Sequence, residues 1–251
     1  MMSIDEYIEE MNKIREKLLD YLEGEEENTS LYDIFEDNKL HDNQYYIISI
    51  LHLILKISND YHRHEDFFSK IFQVLQFFKD LISKISNSDL FNIFKSNKRI
   101  LLFLIEEGLL IIDEQIVKIM INGKYLLKKY PQYFSPEIRP FINEKWFPKY
   151  NKDDPELRNN EWVEEITKEL PDDFYEKRKV GENDGFICSL IQKDSIDDFI
   201  IYVNKNLIPL DSTIKPSNYE TNNFLFKNNN ITLIEYATFF GSIQIFNYLR
   251  L

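Results

Sequence analysis

The side chains able to do chemistry are few, and their spacing argues against most of it. The histidines are His41, His52, His62 and His64. His62 and His64 lie two apart, which puts them on different faces of a helix, whereas a zinc pair on one helical face needs a spacing of four. The only cysteine is Cys188, so there is no thiol pair for a metal. His52 sits inside an apolar run and reads as a hydrogen-bonded core residue. Cys188 lies beside Ile187 and Ile191 on a helix face expected to be buried. A cysteine nucleophile needs a neighbouring base and a depressed pKa. No histidine is near it in sequence, so it reads as a packed, inert thiol.

Acid pairs recur at Glu25 to Glu27, Asp153/Asp154, Glu164/Glu165, Asp172/Asp173 and Asp197/Asp198. Acid–base catalysis needs two carboxylates whose pKa values are pushed apart in a cleft. Adjacent acids in an acidic chain read instead as solvated faces or helix caps. GENDG, residues 181–185, has a turn's composition and not that of a phosphate loop, and no strand pattern precedes it. Lys177, Arg178 and Lys179 form a basic island that reads as a solvated helix end. The aromatic and proline-rich run 133–148 is either an exposed contact patch or internal packing. Neither a catalytic constellation nor a metal or cofactor site emerges. An enzyme would need the fold to bring a histidine within hydrogen-bond reach of Cys188 or an acid.

Composition narrows the classes further. Apolar residues make up 43% of 251, enough for a continuous core. Six glycines and eight prolines are too few for the turns of an all-β fold. A net charge of −13 repels phosphate backbones and anionic lipid, so nucleic acid is not an expected partner. A single cysteine excludes an internal disulfide and suits a reducing compartment. The start, MMSIDEYIEEMNK, lacks the basic and apolar regions of a secretory signal. The longest apolar run, Tyr45 to Ile57, is too short to span a bilayer. These features point to the cytoplasm without membrane insertion.

The elements that would position these groups are helices. Residues 3–22 carry Ile4, Ile8, Met11, Ile14, Leu18 and Leu22 at helical spacing, with Ser3 as cap. Further helices are expected at 30–38, at 42–58 (apolar nearly all round), at 64–85 and at 97–107, the last stopped by Gly108 and followed by a partner at 113–121. Residues 124–129 add a turn or two. Five prolines mark 131–160 as an irregular connection with a short helix at 136–145. Short helices follow at 160–169 and at 171–179, the latter opened by Pro171. Helices at 185–193 and 195–204 then form a pair. Residues 205–231 are a polar insertion with a short extra helix near 216–223. The division is an N-terminal helical region 1–130, a connection 131–160 and helical repeats 161–251. The fold class is all-α, with stacked antiparallel helix pairs and a solenoid at the C-terminal end.

The stretch 232–251 is the most patterned. Thr232 is placed as an N-cap, and Glu235 three residues on completes a capping box. Ala237 is the only alanine in the chain, which marks a place where helices come too close for a larger side chain. Gly241 ends the first helix in a left-handed conformation. Ser242 then caps a second helix, which carries Ile245 and Leu249 one turn apart on a buried stripe.

The order T-L-I-E-Y-A-x-x-x-G-x-x-x-I-x-x-x-L resembles the helical half of an ankyrin repeat. Thr232, Ile234, Ala237, Gly241, Ile245 and Leu249 match the family pattern. Leu233 stands where the family has proline, and Glu235 where it has the histidine that ties neighbouring repeats together. The preceding phrase ICSLIQKDSIDDFIIYVNKN is similar to divergent ankyrin-repeat proteins of the kind expanded in parasitic protists such as trichomonads. The resemblance is firmest over 183–251. From Val203 to Leu249 is 46 residues, longer than the family's repeat of about 33. The resemblance implies an interaction adaptor or scaffold without catalysis or cofactor, presenting a helical surface to a protein partner the sequence does not identify. Solenoids need polar caps, and none follows the apolar second helix. Homo-association, or continuation into further repeats, is therefore the alternative expectation.

Overall fold

Helices account for nearly all regular structure in the computed structural model, which describes residues 3–24, 32–33, 35, 44–60, 66–122, 130–141, 166, 168–222, 224–225 and 230–250. Among these residues the only β pairing is one antiparallel bridge, Thr213 with Thr232. The class is all-α. The chain divides into two compact units, Met1–Leu110 and Ile111–Leu251. The expected helix at 124–129, and most of those at 30–38 and 160–169, lie outside the described residues, as does the greater part of the 131–160 connection.

In the first unit, α1 (Ile4–Glu23) opens on a capping box. The Glu6 amide donates to Ser3 Oγ at 3.2 Å, and the Ser3 amide donates to Glu6 Oε2 at 2.7 Å. Its buried stripe is Ile14, Leu18, Tyr21 and Leu22. Lys70 Nζ donates to the Tyr21 and Leu22 carbonyls at the far end, at 3.0 and 3.1 Å, placing a cation where the helix dipole favours one. Helix α2 (Gln44–Asp60) packs against α3 (Phe67–Phe77), α4 (Lys79–Ile82) and α5 (Asn87–Phe94). Its apolar surface is not continuous: His52 is exposed, which corrects its reading as a core residue. The neighbouring positions Leu51 and Ile54 take the core face, leaving position 52 pointing outward.

The long helix expected over 64–85 is broken at Phe78, whose ψ of 8° leaves the helical region. Neither glycine nor proline causes the break. Phe78 is fully buried, its ring edge-on to Phe35 at 4.7 Å, and tertiary packing overrides local propensity there. Asn97 is buried and caps α6 (Lys98–Glu106), accepting from the Ile100 amide at 3.0 Å while donating to Asn59 Oδ1 at 3.0 Å. Gly108 follows with φ 68°.

In the second unit, α7 (Glu114–Asn122) begins at Asp113, whose Oδ1 accepts from the Gln115 and Ile116 amides at 2.9 Å each. The turns α8 (Tyr130–Tyr133) and α9 (Ser135–Ile138) come next. The expected helix at 136–145 starts with Pro136 in its first turn and tightens to a 3₁₀ turn at Arg139–Phe141, where Pro140 removes a donor. Helix α10 spans Phe174–Val180. Pro171 does not open it. Pro171 instead precedes it in a separate turn, closed by the Phe174 amide on the Pro171 carbonyl at 3.0 Å. Among the described residues α11 (Phe186–Gln192), α12 (Ile196–Asn206), α13 (Leu233–Phe240) and α14 (Ile243–Leu249) follow.

No helix forms over 216–222. Side chains there take the amides that a helix would need. Ser217 Oγ accepts from the Tyr219 amide at 3.0 Å, and Glu220 Oε1 from the Asn222 amide at 2.6 Å.

Candidate interaction site

The patterned residues build two helical hairpins with the same turn. In the first, α11 and α12 meet at Asp194; its amide donates to the Ile191 carbonyl at 2.9 Å, and Ser195 donates to Leu190 at 3.0 Å. Forty-seven residues on, α13 and α14 meet at Gly241, which donates to Thr238 at 3.2 Å while Ser242 donates to Ala237 at 2.9 Å. Both corners are left-handed, φ 49° at Asp194 and φ 66° at Gly241. Glycine adopts that conformation freely, and aspartate is among the few other residues that tolerate it.

The hairpins lie side by side, α11 against α13 and α12 against α14. Between them is one apolar cluster that includes Cys188, Ile191, Phe199, Val203, Leu233, Tyr236, Ala237 and Ile245. The ring of Phe199 meets that of Tyr248 edge-on at 6.2 Å. Gln192 Nε2 donates to the Tyr236 hydroxyl at 2.8 Å inside the seam. At the corners the Asp194 carboxylate crosses to the second hairpin: Oδ2 accepts from the Gln244 amide at 3.1 Å, and Oδ1 from the Ile245 amide at 3.0 Å. It therefore caps α14 from the neighbouring hairpin, satisfying two amides that a helix start leaves open.

Ser242 was expected to cap α14 itself. Its side chain does not do so; it is buried and donates to the Ile191 carbonyl across the seam. The α14 amides are taken by Asp194, which frees the hydroxyl for that bond.

The other motif residues fall as follows. Thr232 Oγ1 accepts from the Glu235 amide at 3.3 Å, and Glu235 Oε2 accepts from the Thr232 amide at 2.8 Å, closing the capping box. The backbone hydrogen bond from Thr232 is the main cause holding the exposed Glu235 carboxyl below the usual carboxylate range. Ala237 and Ile245 are fully buried. Ile234 and Leu249 are half-buried. The insertion between the hairpins is pinned at its ends, with Ile214 donating to Ile231 at 2.8 Å and Leu233 to Ser212 at 3.0 Å.

The candidates for chemistry are scattered. Cys188 is buried, and burial pushes its thiol up to about 12, opposite to the direction a nucleophile needs. His41, His62 and His64 lie outside the described residues. Among the described residues no group of three or more His, Cys, Asp or Glu side chains is placed to hold a metal ion, and no helix is long and apolar enough to cross a membrane.

The basic island is a solvated helix end only in part: Lys179 is exposed, but Arg178 is not. Arg178 is buried, pairs with both Glu137 oxygens at 2.9 and 2.8 Å, and receives the Tyr133 hydroxyl on its carbonyl at 2.8 Å. Lys177 bridges Asp173 at 2.9 Å and Asp184 at 3.1 Å. The aromatics Tyr133 and Phe134 are internal, fully buried beside Tyr130.

No family model, curated protein or solved structure matches the chain. The class that the fold defines is an all-α protein whose second unit contains two hairpins with a shared corner geometry. Asp194 was the residue missed in the sequence. Its signal was the alignment of K-D-S-I at 193–196 with F-G-S-I at 240–243, which sets an aspartate in the corner that glycine fills 47 residues later.

Proposed function

We propose that this chain is a non-catalytic adaptor or scaffold, built on ankyrin-like helical hairpins and presenting their surface to another protein. The observation that carries the reading is the recurrence of one corner geometry at a 47-residue offset, with the two hairpins joined by a carboxylate cap and an apolar seam. A hairpin of this kind cannot bury both its flanks alone, and stacking with a neighbour supplies the rest. Stacking also leaves a rigid outer surface whose side chains are free to vary. The burial of Cys188 and its raised thiol pKa weigh against the one nucleophile available to a covalent mechanism. A cytoplasmic setting fits the single reduced thiol.

The test is cross-linking in native cells followed by binding of the purified pair. Cross-links from a specific partner should map to exposed positions of α11–α14, and Phe186→Glu should weaken the purified complex while Cys188→Ser leaves it unchanged. A partner bound equally well by both variants, with no cross-link in 186–250, would refute the reading.

A further inference from the structure

We infer that residues 215–222 are an autoinhibitory strap, a segment of the chain itself that lies against α11 and α13 and gives way to an extended polar segment of the partner. The inference rests on the adaptor reading. The strap belongs to the connection between the two hairpins, which is closed at its base. There the Ile214 amide donates to the Ile231 carbonyl at 2.8 Å, and the Leu233 amide to the Ser212 carbonyl at 3.0 Å. The segment beyond the base can therefore lift while α12 and α13 keep their ends in place.

Four bonds of the strap converge on residues 181–184. The Thr221 amide and hydroxyl both donate to the Gly181 carbonyl, at 3.1 and 2.7 Å. Asn183 Nδ2 donates to the Lys215 carbonyl at 2.8 Å, and Ser217 Oγ donates to Asp184 Oδ1 at 2.7 Å. Lys177, which pairs with Asp184, sits 5.8 Å from the centre of the Tyr219 ring. Burial is the main cause raising the Cys188 thiol and the Tyr236 hydroxyl, and the Glu220 carboxylate adds to both. The strap's acid therefore lies against α11 and α13 together.

Composition marks the strap as a replaceable occupant. Ser217, Glu220, Thr221 and Asn222 are all buried, although burying hydroxyl, carboxylate and amide groups costs free energy that hydrogen bonds must recover. A permanently buried segment is better served by apolar residues, such as Ile214 and Leu225 on either side, which pack in the apolar cluster. The strap also carries its own turn bonds, Ser217 Oγ with the Tyr219 amide and Glu220 Oε1 with the Asn222 amide. Those amides stay satisfied when it enters water. A partner segment that replaces it must offer a hydroxyl to Asp184, a donor to the Gly181 carbonyl and a carboxylate beside Cys188 and Tyr236.

Binding of the synthetic peptide 215–222, KPSNYETN, to the full chain, read by fluorescence anisotropy, tests this. The wild type holds its own strap and should bind the peptide weakly. Ser217→Ala combined with Thr221→Val loosens the strap and leaves the frame at 181–184 intact. Each lost hydrogen bond is a factor of about threefold to tenfold, so the double variant should bind the peptide about tenfold more tightly or better. A peptide carrying the same two substitutions should lose that gain. Hydrogen exchange in the wild type is the second measurement: the Thr221 amide should exchange faster than the Tyr236 amide of α13. If the double variant loses helix, the exchange measurement decides. Equal binding by wild type and double variant, binding by neither, or a Thr221 amide that exchanges no faster than that of Tyr236 would each overturn the strap. None of these measurements involves the partner, so the adaptor reading stands or falls separately, on the cross-links to α11–α14.

Discussion

The Asp194 carboxylate holds the Ile245 amide at 3.0 Å across 51 residues of chain. With the second oxygen on Gln244, one side chain at the corner of the first hairpin completes the helix start of the second. Such caps contribute about 0.5–2 kcal/mol. Asp194→Ala should cost an amount in that range in urea melts, plus the strain of alanine at φ 49°. Asp194→Gly lacks the cap but also relieves the backbone, so its loss should be the smaller of the two. An Asp194→Ala protein as stable as the wild type would show that the cap contributes nothing.

Ala237 is fully buried at the seam. Its replacement by leucine should destabilise the unit by about 1–3 kcal/mol through overpacking, read as a lowered urea midpoint at constant slope. An unchanged midpoint would mean that the site has room to spare.

Arg178 and Glu137 form a pair screened from water, with side-chain exposures of 5% and 16%. Removing one charge strands the other, at a cost of about 3–5 kcal/mol for a fully buried pair. Arg178→Met should therefore destabilise strongly, and the double variant with Glu137→Met much less. Equal losses in the two proteins would contradict the pairing.

Cys188 should be unreactive in the folded protein. With burial pushing its pKa up to about 12, the thiol stays protonated through pH 8, and alkylation by iodoacetamide should follow unfolding. Labelling at native rates equal to those in urea would place the thiol at the surface.

The Glu235 carboxyl is held below its ordinary value of 4.5 by the Thr232 amide. A depressed acid stabilises above its unfolded pKa, and that contribution is lost as pH falls through the folded value. Glu235→Gln should therefore narrow the stability difference between pH 7 and pH 3 relative to the wild type. An identical pH profile would remove the capping box from the account.

Much of the fold is legible in periodicity. The 3.6-residue stripe of α1, its serine cap and the glycine-cornered hairpin at Gly241 all follow from local rules. What escapes is tertiary. Phe78 breaks α3 from α4 inside an unbroken apolar pattern, because its ring is needed against Phe35. Arg178 looks like one of three solvated cations until Glu137, 41 residues upstream, supplies its partner. His52 looks buried because the run around it is apolar, although Tyr45, His52 and Lys56 of that helix face outward. Ser242 has the right type for a cap in place, but a stronger acceptor arrives from elsewhere in the chain.

The most direct measurement is native-state amide hydrogen exchange in the wild type and in Asp194→Gly. The stack predicts that Gln244 and Ile245 are protected in the wild type, and that the substitution speeds their exchange and that of α14 while leaving the α11 amides from Ser189 onward slow. Unprotected Gln244 and Ile245 in the wild type, or protection indifferent to the loss of Asp194, would contradict the coupling of the two hairpins on which the proposed scaffold rests.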